Sequence, residues 1–290
     1  MNNWRALYPF ESRFAEIGGH RYHYLDEGRG PVLLLVHGNP TWTFLWRDVI
    51  KGLRDRYRVI AVDHIGCGMS DKPSPDRYPY TLARRIEDLC RFVEQLDLCD
   101  VSLVAHDWGG AIGMGAAIEI PDRFRRFVLM NTAAFRAQRC PRRIRLCHVP
   151  LLGQVAVQGF NLFIRAALRQ AAEKPLADPV REGLAAPYDS WGNRIAIYRF
   201  VCDIPLDPRH TSYSTLLRME QEIGRFREHP VCLIWGMRDW CFTPDFLQRF
   251  IEIFPAAEVH RLPDAGHYLI EDAPELVVPL IGDFFARHAI

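Results

Sequence analysis

The sequence predicts an α/β fold, with a mostly parallel central sheet, helices on both of its faces and an inserted helical lid. Three observations carry that expectation. Short, near-continuously apolar runs recur along the chain, and each breaks into a turn rich in Gly, Asp or His. Segments with apolar residues at roughly helical spacing separate most of these runs. Strands apolar on both faces and alternating with helices belong to a parallel sheet covered on both sides. Finally, the alternation stops between about residues 137 and 228, where no strand pattern occurs.

In chain order, residues 14–17 and 21–25 flank Gly18-Gly19-His20 and read as an antiparallel hairpin at the sheet edge. The run VLLLV (32–36) ends in His37-Gly38-Asn39-Pro40, and RVIAV (58–62) ends in Asp63-His64-Ile65-Gly66. A helix is expected over 81–97. VSLVA (101–105) then runs into His106-Asp107-Trp108-Gly109-Gly110 and a small-residue helix, and FVLM (127–130) precedes Asn131-Thr132. After the strandless stretch come VCLIW (231–235) before Gly236, EVHRL (258–262) before Pro263-Asp264-Ala265-Gly266-His267, and a terminal helix over 274–287. The expected organisation is a core of residues 1–136 and 229–290 with a helical cap of residues 137–228.

Composition bounds the function. With 290 residues, two domains are the starting expectation at ~150 residues each, although single α/β domains reach this size. Thirty-six Lys and Arg against 35 Asp and Glu leave a net charge of +1, against a dedicated nucleic-acid binder. Charged residues at 24% and hydrophobic ones at 49% exclude a disordered chain. The eight cysteines (Cys67, Cys90, Cys99, Cys140, Cys147, Cys202, Cys232 and Cys241) form no C-x-x-C pair, so no structural zinc is expected. The N-terminus lacks a signal-peptide pattern and no apolar run approaches ~18 residues, so a cytoplasmic protein with reduced thiols is expected. No metal or cofactor is called for.

The segment VSLVAHDWGG places Asp107 at a strand–turn–helix junction, where the G-x-S-x-G nucleophile elbow would hold its serine. Ala105 replaces the first Gly of that pattern and Asp107 the Ser, so the general motif is loose. A carboxylate is already ionised at neutral pH and needs no base to attack a saturated carbon, giving an alkyl ester that water must cleave. Taken alone, such an Asp would more often cap the following helix; its partners decide otherwise. His267 lies in the loop after the last strand, where this architecture brings its general base, in the order nucleophile, acid, base. Two positions could hold the acid. At the end of strand 127–130 stands Asn131, which carries no charge. After strand 231–235 stands Asp239, which can accept from His267 and fix its tautomer. Of its rivals, Asp245 reads as a first-turn helix residue after Pro244, and Asp264 as a turn former.

Asn39 follows the first central strand, where one oxyanion-hole N–H is expected, and Trp108 next to Asp107 should supply the other. Their side chains add an amide and an indole donor, suited to an anionic leaving group such as halide. The plainer reading makes Asn39 a turn residue before Pro40 and Trp108 a packing residue.

With these residues in hand, the chain resembles the α/β-hydrolases and, more narrowly, the haloalkane dehalogenases. The matching strings are HGNPTWTFLWRDVI (37–50), DHIGCGMSDKP (63–73), AHDWGGAIG (105–113), RFVCDIP (199–205), WGMRDWCF (235–242) and DAGHYLIEDAPE (264–275). They span nearly the whole core, while the lid matches poorly. The resemblance implies Asp107 as nucleophile, His267 as base, Asp239 as acid, and Asn39 with Trp108 as the halide-holding pair. Asn39 together with Asp239 looks like the third dehalogenase subfamily, which is similar to the β-lactone decarboxylases of long-chain olefin synthesis. Those share the same five positions, so the motifs leave both open.

The first expectation is therefore hydrolysis of carbon–halogen bonds through an aspartyl ester, on a small apolar substrate. The alternatives are β-lactone decarboxylation, epoxide hydrolysis and, in a different class, a ligand receptor that has lost chemistry. Epoxide opening would want an acid from lid tyrosines such as Tyr188, Tyr198 or Tyr213. Against it stands Asn39, where epoxide hydrolases carry a bulky apolar residue. A serine esterase is excluded by the elbow residue itself.

One segment is left over. From Arg123 to Ala172 there is no Asp or Glu, while arginines stand at 123, 125, 126, 136, 139, 142, 143, 145, 165 and 169. Apolar residues interleave with them in VPLLGQVAVQGFNLFIRAAL (149–168). Such a strip suits a membrane surface, a partner enzyme or a second subunit, or else a solvated basic roof over the pocket.

Overall fold

A computed structural model describes residues 3–137, 141–149 and 151–290; Arg139 and Cys140, noted above, lie outside the described residues. Eight strands form one sheet: β1 (Arg13–Ile17), β2 (His20–Glu27), β3 (Val32–Val36), β4 (Arg58–Val62), β5 (Val101–Asp107), β6 (Phe124–Thr132), β7 (Val231–Gly236) and β8 (Glu258–Leu262). Their spatial order is β1-β2-β4-β3-β5-β6-β7-β8. Strand β2 pairs antiparallel with both β1 and β4, and every other pairing is parallel. The hairpin is thus the sheet edge, as its Gly-Gly turn implies.

The central runs have no polar face because both faces are buried. Leu34, Val36, Leu103, Ala105 and Leu233 point into one apolar core, while Leu33, Leu35, Val104, Val128 and Ile234 point into another. Alternate side chains of a strand face opposite ways, so a doubly covered strand must be apolar throughout. Helices α2 (Leu82–Gln95) and α3 (Trp108–Glu119) cover the first face, and α1 (Arg47–Leu53) with the terminal helix covers the second. Helix α2 starts where the Thr81 hydroxyl accepts from the Arg84 N–H, an ordinary N-cap.

Among the described residues no strand lies between Thr132 and Val231. That interval holds α4 (Arg142–Leu146), α5 (Leu152–Gln154), α6 (Leu162–Gln170), α7 (Asp178–Ala185), α8 (Ile195–Cys202) and α9 (Thr211–Glu222). Inward residues of α6, α7 and α8 (Ile164, Leu184 and Ile197), with Trp42, Phe44 and Tyr268 from the core loops, build a third apolar cluster, while Leu216 and Met219 of α9 join the first core. The chain closes with α10 (Pro244–Ile253), the single turn α11 (Leu269–Asp272) and α12 (Pro274–Arg287). Among the described residues no helix is long and apolar enough to cross a membrane, and no disulfide joins the cysteines.

Strand β6 starts three residues before the apolar run that announces it, and this divides the arginine strip. Arg123 and Arg125 sit at the entry to β6, paired with Asp97 and Asp100 at 2.7 and 2.9 Å. Arg126 is buried and donates to Ser102 Oγ and to the Phe285 and His288 carbonyls. Arg136 leaves the other end of the strand and pairs with Glu220 at 2.7 Å. The acid-free stretch is therefore not one face: its first three arginines serve the far end of the sheet, and Arg136 is neutralised.

Candidate active site

Chain order sets the location. From β3 the chain moves to β4 on one side and then crosses to β5 on the other, opening a crevice at the carboxyl ends of β3 and β5. Ligands of open parallel sheets bind at such a switch point. The residues singled out in the sequence all leave strand ends on this side: Asn39 after β3, Asp107 at the end of β5, Asp239 after β7 and His267 after β8.

Asp107 has φ 54° and ψ −130°, a conformation side chains rarely take, and it turns the carboxyl away from the sheet. Close packing makes room for that turn. A Cβ on Gly38 would lie 2.0 Å from Asp107 Oδ1, and one on Gly109 2.0 Å from the Val36 carbonyl oxygen. Both positions therefore require glycine for space.

Two backbone donors point at the carboxylate. The Asn39 N–H donates to Asp107 Oδ1 at 2.5 Å, and the Trp108 N–H bonds the same carboxylate. The other oxygen, Oδ2, lies 3.6 Å from His267 Nε2. That is too long for a hydrogen bond. The Asn39 N–H thus holds Oδ1, while Oδ2 faces the imidazole. Burial pushes the Asp107 pKa up to about 6; His267 and the Trp108 and Asn39 N–H groups oppose that push, and Asp239 adds to it.

His267 Nδ1 meets Asp239 Oδ2 at 2.8 Å. Asp239 is buried, yet its pKa is held below the ordinary carboxylate value. Burial pushes it up, and His267, the Cys241 N–H at 2.6 Å and the Asn131 amide at 2.8 Å outweigh it. For His267 burial pushes toward the neutral ring, but Asp239 and then Asp107 more than offset it, so its pKa is raised. The two rivals of Asp239 lie elsewhere. Asp264 pairs with Arg238 at 2.6 Å on the surface, and Asp245 stands in the first turn of α10.

Two contacts were not anticipated from the sequence. Asn131, set aside for its lack of charge, brackets the acid: its Nδ2 reaches Asp239 and the Gly236 carbonyl, and its Oδ1 accepts from the Gly236 N–H. His106 packs against His267 with ring centroids 4.6 Å apart and planes tilted by 41°, and its Nε2 meets the His267 carbonyl at 2.8 Å. Burial drives the His106 pKa down to about 3, so the ring is neutral and donates to that carbonyl. The only signal for either was position: both stand at the carboxyl ends of the two strands flanking the site.

Above Asp107 lies a cavity of about 580 Å³, whose walls include Asn39, Trp108, Phe135, Val157, Phe246 and His267. Most other lining residues are apolar and come from the helices between β6 and β7. The Asn39 amide donates to the Ile197 carbonyl at 3.3 Å, which leaves its second hydrogen for the cavity. Tyr188, Tyr198 and Tyr213 do not line it. The Tyr188 hydroxyl donates to the Thr41 carbonyl, and the Tyr213 hydroxyl bonds Arg136.

An eight-stranded sheet of this order, a strained acidic residue at the β5–α3 elbow and a His on a late loop define an α/β hydrolase. The chain belongs to the alpha/beta hydrolase family, whose model matches residues 33–280. It is 40% identical over 287 residues to the cis-3-alkyl-4-alkyloxetan-2-one decarboxylase of Shewanella oneidensis, covering 97% of this chain and 90% of that protein. It is 42% identical to the decarboxylase of the same name from Xanthomonas campestris pv. campestris, over 92% of this chain and 93% of that one. Haloalkane dehalogenase 2 of Mycobacterium bovis is 35% identical, with 96% of both chains covered. Among solved structures, the haloalkane dehalogenase DatA from Agrobacterium tumefaciens C58 superposes with a TM-score of 0.87 at 26% identity, over 96% of this chain and 97% of that one. The protein is thus a hydrolase-family enzyme with dehalogenase and oxetanone decarboxylase relatives.

Proposed function

We propose that this enzyme opens and decarboxylates a cis-3,4-dialkyl-oxetan-2-one, a β-lactone, with Asp107 as nucleophile. The observation that carries the reading is the pair of decarboxylase relatives, 40% and 42% identical over more than nine-tenths of the chain. This moves the weight from carbon–halogen cleavage, the first expectation, to its alternative. The apolar cavity above Asp107 suits a substrate bearing two alkyl chains.

In this reading residues 137–228 form the lid and the remainder the core. Asp107 Oδ2, the oxygen that faces His267, attacks C4 of the lactone from the side opposite the ring oxygen. The C4–O bond breaks and its electron pair stays on the freed carboxylate, giving an aspartyl alkyl ester. The carboxylate then lies antiperiplanar to the new ester bond. Loss of carbon dioxide moves the C3–carboxyl electron pair into the C3–C4 double bond and expels Asp107 as a carboxylate. The products are a cis alkene and carbon dioxide, with no water consumed. His267, whose pKa is raised by Asp239, balances in its protonated form the carboxylate charge freed on ring opening. The Asn39 N–H holds Asp107 Oδ1, the Trp108 N–H bonds the same carboxylate, and both residues face the leaving carboxylate with their side-chain donors.

Dehalogenation is the second reading. It is favoured by those same two side-chain donors, which suit a halide, and by the 35% identical dehalogenase. There His267 would activate a water against the ester carbonyl, whose oxygen the Asn39 N–H already holds.

The test supplies purified enzyme with a long-chain cis-β-lactone, a 1-bromoalkane and a styrene-type epoxide, with Asp107→Ala as control. Cis alkene from the lactone, lost in the variant, is the expected result. Halide release without alkene would replace this reading with dehalogenation, diol formation would select epoxide hydrolysis, and no turnover of any would favour a receptor.

A further inference from the structure

The segment that roofs the cavity has a second side. Between residues 141 and 170 the inward residues, such as Val157 and Ile164, are buried, whereas Leu146, Leu151, Leu152, Phe160 and Leu162 are 68, 77, 67, 63 and 50% exposed. Scattered apolar residues on a surface need no explanation, but five large ones within seventeen positions form a patch. Arg143, Arg145, Arg165 and Arg169 are exposed in the same segment, and none has a carboxylate within 4.0 Å among the described residues. This is what remains of the acid-free strip once its first arginines are assigned to the sheet. Three exposed apolar residues, Leu146, Leu152 and Leu162, also line the cavity. The patch therefore runs into the mouth of the pocket.

We propose that this face seats the enzyme on an anionic lipid surface and takes its apolar substrate directly from it. Large apolar side chains flanked by arginines without a carboxylate partner are the composition of an interfacial anchor, where the chains enter the acyl boundary and the cations meet phosphate headgroups. The charge selects this occupant: a second copy would set the same uncompensated arginines against each other, whereas an anionic membrane neutralises them. A long-chain dialkyl substrate partitions into lipid, and a mouth rimmed by leucines on the bound face gives it a path that avoids water. That last step rests on the function proposed above; the docking itself does not.

The experiment is flotation of the full-length protein with vesicles of phosphatidylcholine alone and with about a third phosphatidylglycerol, at low and high salt. Binding is expected on the anionic vesicles, weakened at least tenfold by high salt as headgroup contacts are screened. The double variant Leu151→Glu/Phe160→Glu changes residues outside the cavity wall and should bind at least tenfold more weakly, with turnover of a detergent-dispersed substrate unchanged. Arg145→Glu/Arg169→Glu should lose the preference for anionic lipid. Absence of wild-type flotation on either vesicle would overturn the proposal, as would binding that both variants retain. So would a stable dimer, seen by sedimentation velocity, that the Leu151→Glu/Phe160→Glu variant dissociates, since the patch would then be covered by a second copy. Flotation needs no turnover, so its failure is separate from failure to find a substrate.

Discussion

The Asn131 amide donates to Asp239 Oδ2 at 2.8 Å, and that same oxygen meets His267 Nδ1 at 2.8 Å. The charge that orients the imidazole is thus itself held from behind by a neutral residue on the neighbouring strand. Asn131→Ala should remove a hydrogen bond to a charged group, worth about 1.5–3 kcal/mol, and lower kcat roughly 10- to 100-fold. The exchange Asn131→Asp/Asp239→Asn tests whether charge or position matters. It returns a carboxylate to the opposite side of the same pair, so it should recover part of the activity lost in Asp239→Asn alone. Steady-state kinetics of the three variants would check this, and a double variant no better than Asp239→Asn would show that only the loop position can serve.

The acid limb of the rate profile follows from Asp107. A carboxyl group whose pKa is raised to about 6 takes up its proton at higher pH than usual, so reactive carboxylate is lost as pH falls through that value. Turnover should therefore drop on the acid side near pH 6 rather than near 4. Because Asp107, His267 and Asp239 are coupled, the limb reports the group rather than one residue. His267→Phe removes the largest influence opposing burial and should move the limb upward. A profile of kcat/KM for wild type and variant over pH 4–9 measures both.

Gly38 makes a sharper structural test. A Cβ there would approach Asp107 Oδ1 at 2.0 Å and Asp107 Cβ at 2.4 Å, atoms fixed by the strained elbow. Gly38→Ala must displace either the Asn39 donor or Asp107 itself. The expected outcome is a loss of about 1–3 kcal/mol in unfolding free energy, typical of overpacking, together with at least a 100-fold loss of activity. Retained activity with only a stability change would mean that the donor loop can yield without moving Asn39.

How far the sequence could be read depended on how local each feature is. Asp107, Asp239 and His267 were legible because each sits in a short strand–turn string, and the order of parallel strands brings such turns to one end of the sheet. The start of β6 was not, since Arg125 and Arg126 interrupt its apolar pattern; Arg126 is buried only because Ser102 and the C-terminal carbonyls of Phe285 and His288 accept its hydrogens. Those partners are 24 and more than 150 residues away, and no local pattern announces them. Asn131 was passed over for the same reason: its value lies in what β7 places beside it. The arginine strip misled in the opposite sense, because adjacency in sequence spans both ends of a strand.

The lid tyrosines provide the last discrimination between mechanisms. Tyr188 is buried, donates to the Thr41 carbonyl at 3.0 Å and lies outside the cavity wall. Tyr213 bonds Arg136, which is itself paired with Glu220. Neither hydroxyl faces a substrate above Asp107, so neither is placed to protonate an opening epoxide. Tyr188→Phe should cost about 1–3 kcal/mol of stability, because the Thr41 carbonyl is left buried and unpaired. Tyr213→Phe, half-exposed, should cost less. Both should leave kcat on the true substrate within about twofold, measured beside thermal unfolding of the same samples. A hundredfold loss of kcat in either variant, with stability intact, would instead make that hydroxyl an acid and return epoxide opening to the front.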